Sequence, residues 1–196
     1  MDSLELLHNR VSVPADELDE PAPAGADLSA ILRAGVAAPD HGGLRPWRFL
    51  LIRGAARAAL GDVFAAALQA RDPAAPAAAV EKQRGKPLRA PLIIAVVARV
   101  EPDNPKIPEI EQVLSAAAAA QQMQLAANGL GYGSIWLTGA NARDAAVTEA
   151  LGLGFDDRIV AFLYLGTPRR GFHAVERPDP DPFTSEWTEP QRMETL

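Results

Sequence analysis

The chain has 196 residues, 48% of them hydrophobic, with a formal net charge of −6 and no cysteine. That length supports one compact domain with a real core. The acidic balance argues against a nucleic-acid or anionic-membrane partner, both of which need a basic face, and the absence of cysteine excludes disulfides, thiolate zinc sites and a thiol nucleophile.

The first residues, Met1-Asp2-Ser3-Leu4-Glu5, are acidic and lack the apolar run of a signal peptide. No uninterrupted apolar stretch reaches the roughly 20 residues needed to cross a bilayer, so a cytoplasmic protein is expected. Asp2 or Ser3 caps a short first helix with Leu4, Leu6 and Leu7 on its buried side. Arg10 to Pro14 leaves that helix extended, and Pro21-Ala22-Pro23 is a stiff connector. Asp27 starts a second helix, with Leu28, Ile31, Leu32 and Gly35 at core spacing. Trp47 to Ile52 reads as a strand. Ala55 to Ala70 reads as a helix with Leu60, Val63, Phe64 and Ala67 on one stripe.

Residues 71–89, with Pro73, Pro76 and Pro87, read as irregular, and their Lys82, Arg84, Lys86 and Arg89 as a solvated face. Leu92 to Val100 is apolar and rich in β-branched residues, the pattern of a strand buried on both faces. Pro108 opens a long Ala-rich helix to about Asn128, and glycines 129, 131 and 133 break it before a short strand, Ser134 to Leu137. Asn141 is placed as the cap of a helix to Leu151, and Arg158 to Leu165 as the last strand. From Pro168 the tail is polar, with Phe172, Phe183 and Trp187 spaced along a surface. Strands separated by helices, without repeats, indicate one layered domain of mixed helix and strand.

Gly129-Leu130-Gly131-Tyr132-Gly133 follows a helix and precedes a strand, the reverse of a dinucleotide fingerprint, so it reads as a helix stop. No histidine or carboxylate group has metal-ligand spacing, and no serine sits in a nucleophile context. Glu109 and Glu111, in a first helical turn, read as partners of the helix dipole. Among the three histidines, His41 stands apart in the turn Pro39-Asp40-His41-Gly42-Gly43, where two glycines let backbone approach a flat or anionic ligand. The chain thus lacks evident acid–base or nucleophilic machinery, which suits chemistry carried by a bound organic cofactor.

Several blocks, in order, resemble the nitroreductase family, nearest its small single-domain bacterial branch. They are Leu4 to Ser12, Leu32 to His41, Pro46 to Phe49, Arg89 to Ile94, Gly131 to Gly139 and Ile159 to Pro168. The resemblance implies an α+β fold with a mixed, largely antiparallel central sheet flanked by helices. It implies an intertwined homodimer with FMN at the subunit interface, residues 1–168 as one domain and 169–196 as a C-terminal arm on the domain or the partner. The implied activity is alternating reduction of FMN by NADH or NADPH and of a small electron-poor acceptor, such as a nitroaromatic or quinone.

Carried over, Arg10 and Ser12 would hold the FMN phosphate and ribityl chain, His41 would reach the flavin of the other subunit, and Val11, Ala37 and Arg45 stand at further cofactor-binding positions. Trp136, Leu137 and Thr138 would line the flavin. Ala126, Ala127, Asn128, Gly129, Leu130 and Gly131 would form the nicotinamide-nucleotide segment. Neither a protein catalytic residue nor a metal is implied. The chain departs from the family where Val11, Ala37 and Leu137 replace arginines, while Arg45 adds one positive charge. Each lost ionic contact would weaken binding by about 1.5–3 kcal/mol. A non-catalytic member binding FMN weakly, or another planar ligand, is the alternative.

Overall fold

The computed structural model describes residues 2–187. Its centre is β3 (Leu92–Arg99), flanked by antiparallel β2 (Trp47–Arg53) and β5 (Asp157–Pro168). β5 also pairs with β4 (Gly133–Leu137) and with the two-residue β1 (Leu18–Asp19), so every described pairing in the five-stranded sheet is antiparallel. Successive side chains of a strand point to opposite faces, and β3 uses both. Ile93, Ala95 and Val97 pack with Leu60 and Phe64 of α3 (Ala55–Arg71), Phe162 and Tyr164. Leu92, Ile94 and Val96 pack with Ile31 of α2 (Gly25–Val36) and with Ala120 and Met123 of α5 (Glu109–Gly129). The result is an α+β layering with helices on both faces of one sheet. None of the helices in the described residues is long and apolar enough to cross a membrane.

Residues 71–89 are more ordered than their prolines suggest: α4 spans Ala77–Gly85, and a 3₁₀ turn covers Lys86–Arg89. The alanines of this segment favour helix, while Pro76 and Pro87 sit at the cap and in the next turn, where proline is tolerated. α4 lies so close on α3 that a Cβ at Gly61 would stand 2.2 Å from the Arg84 carbonyl oxygen. α2 begins at Gly25, ahead of Asp27. The Asn141 cap is corrected as well. Asn141 opens a 3₁₀ turn, and Asp144 caps α6 (Ala145–Ala150) by accepting from the Ala146 and Val147 amides. Asp144 is also paired with Arg71.

The first helix, α1 (Ser3–Asn9), carries the expected capping box, with Asp2 and Glu5 reciprocally bonded. Its leucines are not buried: Leu4 is 61% and Leu7 51% exposed. Among the described residues α1 packs on the end of α5, where Leu6 lies over Gly129, and this contact leaves Leu4 and Leu7 uncovered.

Candidate cofactor and substrate site

The extended segment after α1 alternates in burial. Val11 and Val13 enter the core, while Arg10 and Ser12 turn outward. Period-two geometry therefore explains why Val11 offers the site only its backbone. Arg10 donates to Ser12 Oγ at 3.5 Å. The tail returns here. Arg177 donates through Nε to the His8 carbonyl at 3.3 Å, and through a second nitrogen to the Arg10 carbonyl. Partial burial first, and the Arg177 charge second, lower the Arg10 guanidinium from its ordinary range. Neither arginine enters an ion pair among the described residues. Two guanidiniums and a hydroxyl without a carboxylate suit a phosphate.

A second part of the site lies at the end of β4. Trp136 is fixed by donation from its indole nitrogen to the Val160 carbonyl at 3.2 Å. Leu137 and Thr138 lead into a cleft of about 230 Å³ that also takes in Gln83, Lys86, Arg89 and Tyr164. Arg89 lies 5.5 Å from the Tyr164 ring centroid, a cation–π distance. Burial of the Tyr164 phenol raises it above its usual range, with Arg89 opposing. Burial lowers the Lys86 ammonium, helped by Arg89, Lys82 and Arg71. Arg84 instead pairs outward with Asp62 and Glu81. The solvated-face reading of this basic cluster thus fits Lys82, Arg84 and the exposed Arg89, whereas Lys86 is half-buried at the cleft.

The third part is the turn after α2. Ala37 caps that helix and is exposed. Gly42 and Gly43 adopt φ of 66° and 71°, the left-handed region that favours glycine. α5 grips the turn with two residues one helical turn apart. Ser115 Oγ donates to the Pro39 carbonyl at 2.6 Å, and the Glu111 carboxylate lies 2.5 Å from His41 Nδ1. Glu111 is therefore more than a helix-dipole residue. Arg45 turns away to a separate cleft with Arg48 and Arg99.

The Ala126–Gly131 segment is the C-terminal end of α5. Ala127 and Asn128 are buried, and Gly129, Leu130 and Gly131 are exposed. Gly131, at φ 87°, and the Tyr132 amide, donating to the Ala127 carbonyl at 2.9 Å, form the helix stop that the glycines indicate.

The first and third of these parts do not meet within one chain. The His41 turn lies at the start of α5 and the Arg10 segment at its end. Glu111 and Gly129 are separated by about 27 Å at 1.5 Å per residue.

Comparison with known proteins decides the family. The nitroreductase family model matches residues 17–167. The chain belongs to the nitroreductase family. It is 47% identical over 188 residues to YdjA of Escherichia coli K12, named as a candidate NAD(P)H nitroreductase, covering 94% of this chain and 99% of the relative. A nitroreductase-like family protein from Bacillus cereus superposes with a TM-score of 0.79 at 21% identity, covering 96% and 97% of the two chains. A nitroreductase from Desulfovibrio desulfuricans, solved in complex with FMN, gives 0.69 at 26% identity over 97% and 99%.

In this nitroreductase family member, sequence reasoning missed Arg177 and read Glu111 as a helix-dipole partner and Lys86 and Arg89 as part of a solvated face. Arg177 sits in a tail without periodicity, and only the chain's return over α1 gives it a role. The helix that turns Lys86 and Arg89 toward Leu137 was hidden behind three prolines.

Proposed function

We propose that the protein is an FMN-dependent NAD(P)H oxidoreductase that acts as a cytoplasmic homodimer on small electron-poor acceptors such as nitroaromatics or quinones. The observation that carries this reading is the split site. The phosphate-suited Arg10, Ser12 and Arg177 lie at one end of α5, and the glycine turn bearing His41 at the other. Two copies with antiparallel α5 helices bring the Arg10 segment of each chain to the His41 turn of the other. Apolar residues exposed at both ends of α5 support that arrangement: Ile110 and Leu114 at one, Leu4, Leu7 and Leu130 at the other. Residues 169–187 then serve as an arm, with Phe183 and Trp187 exposed for the partner. Residues 188–196 lie outside the described residues.

Bound flavin supplies the redox chemistry, accepting hydride from the nicotinamide and passing reducing equivalents to the acceptor. The FMN-bound relative and the NAD(P)H nitroreductase name of YdjA support this choice of cofactors. Arg10 and Arg177 hold the phosphate dianion, with Ser12 as a neutral partner. Main-chain groups of Leu137 and Thr138 would border the flavin, and Lys86 and Arg89, in the same cleft, would supply positive charge beside it. Glu111 holds His41 by Nδ1, which leaves Nε2 to face the ligand. The lost family arginines are thus offset by Arg177, Lys86 and Arg89.

The test is anaerobic mixing of FMN-loaded protein with NADPH or NADH, followed by a nitroaromatic or quinone. Bleaching of the visible flavin band by one donor and its return with the acceptor are expected. A retained flavin that neither donor bleaches refutes the reductase reading and favours a ligand-binding scaffold.

A further inference from the structure

A second basic cleft lies apart from the Arg10 site. It has a volume of about 540 Å³ and is bordered by Arg45, Arg48, Arg99 and Glu101. Three guanidiniums face one carboxylate, in a chain whose net charge is −6. Glu101 is itself engaged, its carboxylate accepting from the Asn104 side-chain Nδ2 at 3.0 Å. None of the three arginines enters an ion pair among the described residues.

The cleft is also built rather than loose. Arg48 is pinned through one nitrogen to the Trp47 and Arg45 carbonyls, at 2.7 and 3.1 Å, leaving Nε and its other terminal nitrogen unused among the described hydrogen bonds. The Arg99 amide donates to the Pro46 carbonyl at 2.6 Å, which ties the ends of β2 and β3 together under the cleft. Arg45 has a φ of 52°, the only positive value outside glycine among the described residues. Its amide is held there by the Asp40 carboxylate at 2.7 Å. Strained backbone that its surroundings enforce marks functional positions.

We propose that Arg45, Arg48 and Arg99 bind a phosphate monoester dianion, at a site distinct from the flavin phosphate site. This rests on the reductase reading for its source. The 2′-phosphate of NADPH and the phosphate of a phosphorylated acceptor carry the same group. The cleft is tied to the start of α5 by the Glu101 amide donating to Gln112 Oε1 at 2.8 Å, so the proposed antiparallel pairing would bring it toward the Ala126–Gly131 end of the partner's α5, where the family resemblance places the nicotinamide nucleotide. Arginine forks match a terminal phosphate bidentately, as in NADP-selective sites.

The experiment is calorimetric titration of the FMN-loaded protein with 2′,5′-ADP and with 5′-AMP, in wild type, Arg99→Ala and Arg45→Gly. The glycine keeps the positive φ without the guanidinium. Tenfold or tighter binding of 2′,5′-ADP over 5′-AMP, lost by tenfold or more in either variant, is expected. Equal binding of the two nucleotides, together with failure of inorganic phosphate to bind, overturns the site whether or not the protein is a reductase. Steady-state kcat/KM then separates the sources. A preference for NADPH over NADH that Arg99→Ala abolishes assigns the 2′-phosphate. Arginine-dependent binding of 2′,5′-ADP or inorganic phosphate without donor preference keeps the site and assigns it to a phosphorylated acceptor.

Discussion

Arg177→Ala is the substitution that most sharply separates this site from a generic member of the fold. Arg177 reaches α1 only through main-chain carbonyls, at His8 and Arg10, and has no carboxylate partner among the described residues. Its cost to folding is therefore that of an exposed cation at a helix C-terminus, about 0.3–1 kcal/mol. Its cost to FMN binding is larger, because a hydrogen bond to a charged group contributes about 1.5–3 kcal/mol. At 1.4 kcal/mol per tenfold, that is about a 12- to 140-fold rise in Kd. Quenching of FMN fluorescence on titration with protein measures it, with a thermal melt alongside. Lysine should restore part of the loss, since it keeps the charge and loses the fork. The salt dependence of binding should flatten in the alanine variant. FMN affinity within twofold of wild type, with an unchanged salt slope, would refute the placement of Arg177 at the phosphate.

Other outcomes follow from the packing and electrostatics. Gly61→Ala should destabilise the fold by about 1–3 kcal/mol, because the added Cβ meets the Arg84 carbonyl oxygen, which is backbone and cannot swing away; an unchanged urea midpoint would contradict the close α3–α4 approach. Leu114→Glu should shift the protein from dimer to monomer by light scattering and weaken FMN retention with it, since Leu114 is 57% exposed beside the His41 turn; an intact dimer would count against the antiparallel α5 pairing. Glu111→Gln should mix the His41 tautomers, read from imidazole ¹⁵N shifts, because the carboxylate that accepts from Nδ1 is gone; a single unchanged tautomer would remove Glu111 as the positioning group. Asp19 is held below its usual carboxylate range, chiefly by the hydrogen bond from Arg169. A depressed carboxylate stabilises the fold above its unfolded pKa of about 3.9, and that contribution is lost as pH falls through the lower folded value. Asp19→Asn should erase this small, salt-screened acid-side loss from melts recorded across that range; an identical acid profile would show that the pair is inert.

How much could be read beforehand depended on whether a signal was local. The run from Leu92 to Arg99 announces a strand buried on both faces because both of its faces meet helices. The glycines at 129, 131 and 133 announce a helix stop because Gly131 needs a positive φ. The His41 turn stood out for the same local reason. The misses are non-local. Three prolines around residues 73–87 masked α4, whose alanines needed only the wall of α3 to settle as helix. Asn141 looked like a cap until Asp144 took that place, with Arg71 from α3 as its partner. Leu4 and Leu7 look like core by pattern and are exposed, because α1 meets α5 through Leu6 instead. Arg177 and Arg10, 167 residues apart, meet only through the fold. The proposed divided site is the extreme case: its halves sit at opposite ends of one helix, and no spacing along the chain links them.

That division is tested most directly by measuring FMN content and molecular mass on the same sample. The protein is loaded with FMN, desalted, and passed through size exclusion with light scattering and absorbance detection. A yellow dimer carrying one FMN per chain is expected, with colour and dimer mass lost together as the protein is diluted. A monomer that retains stoichiometric FMN would contradict the account, since one chain cannot bring Arg10 and His41 to the same ligand.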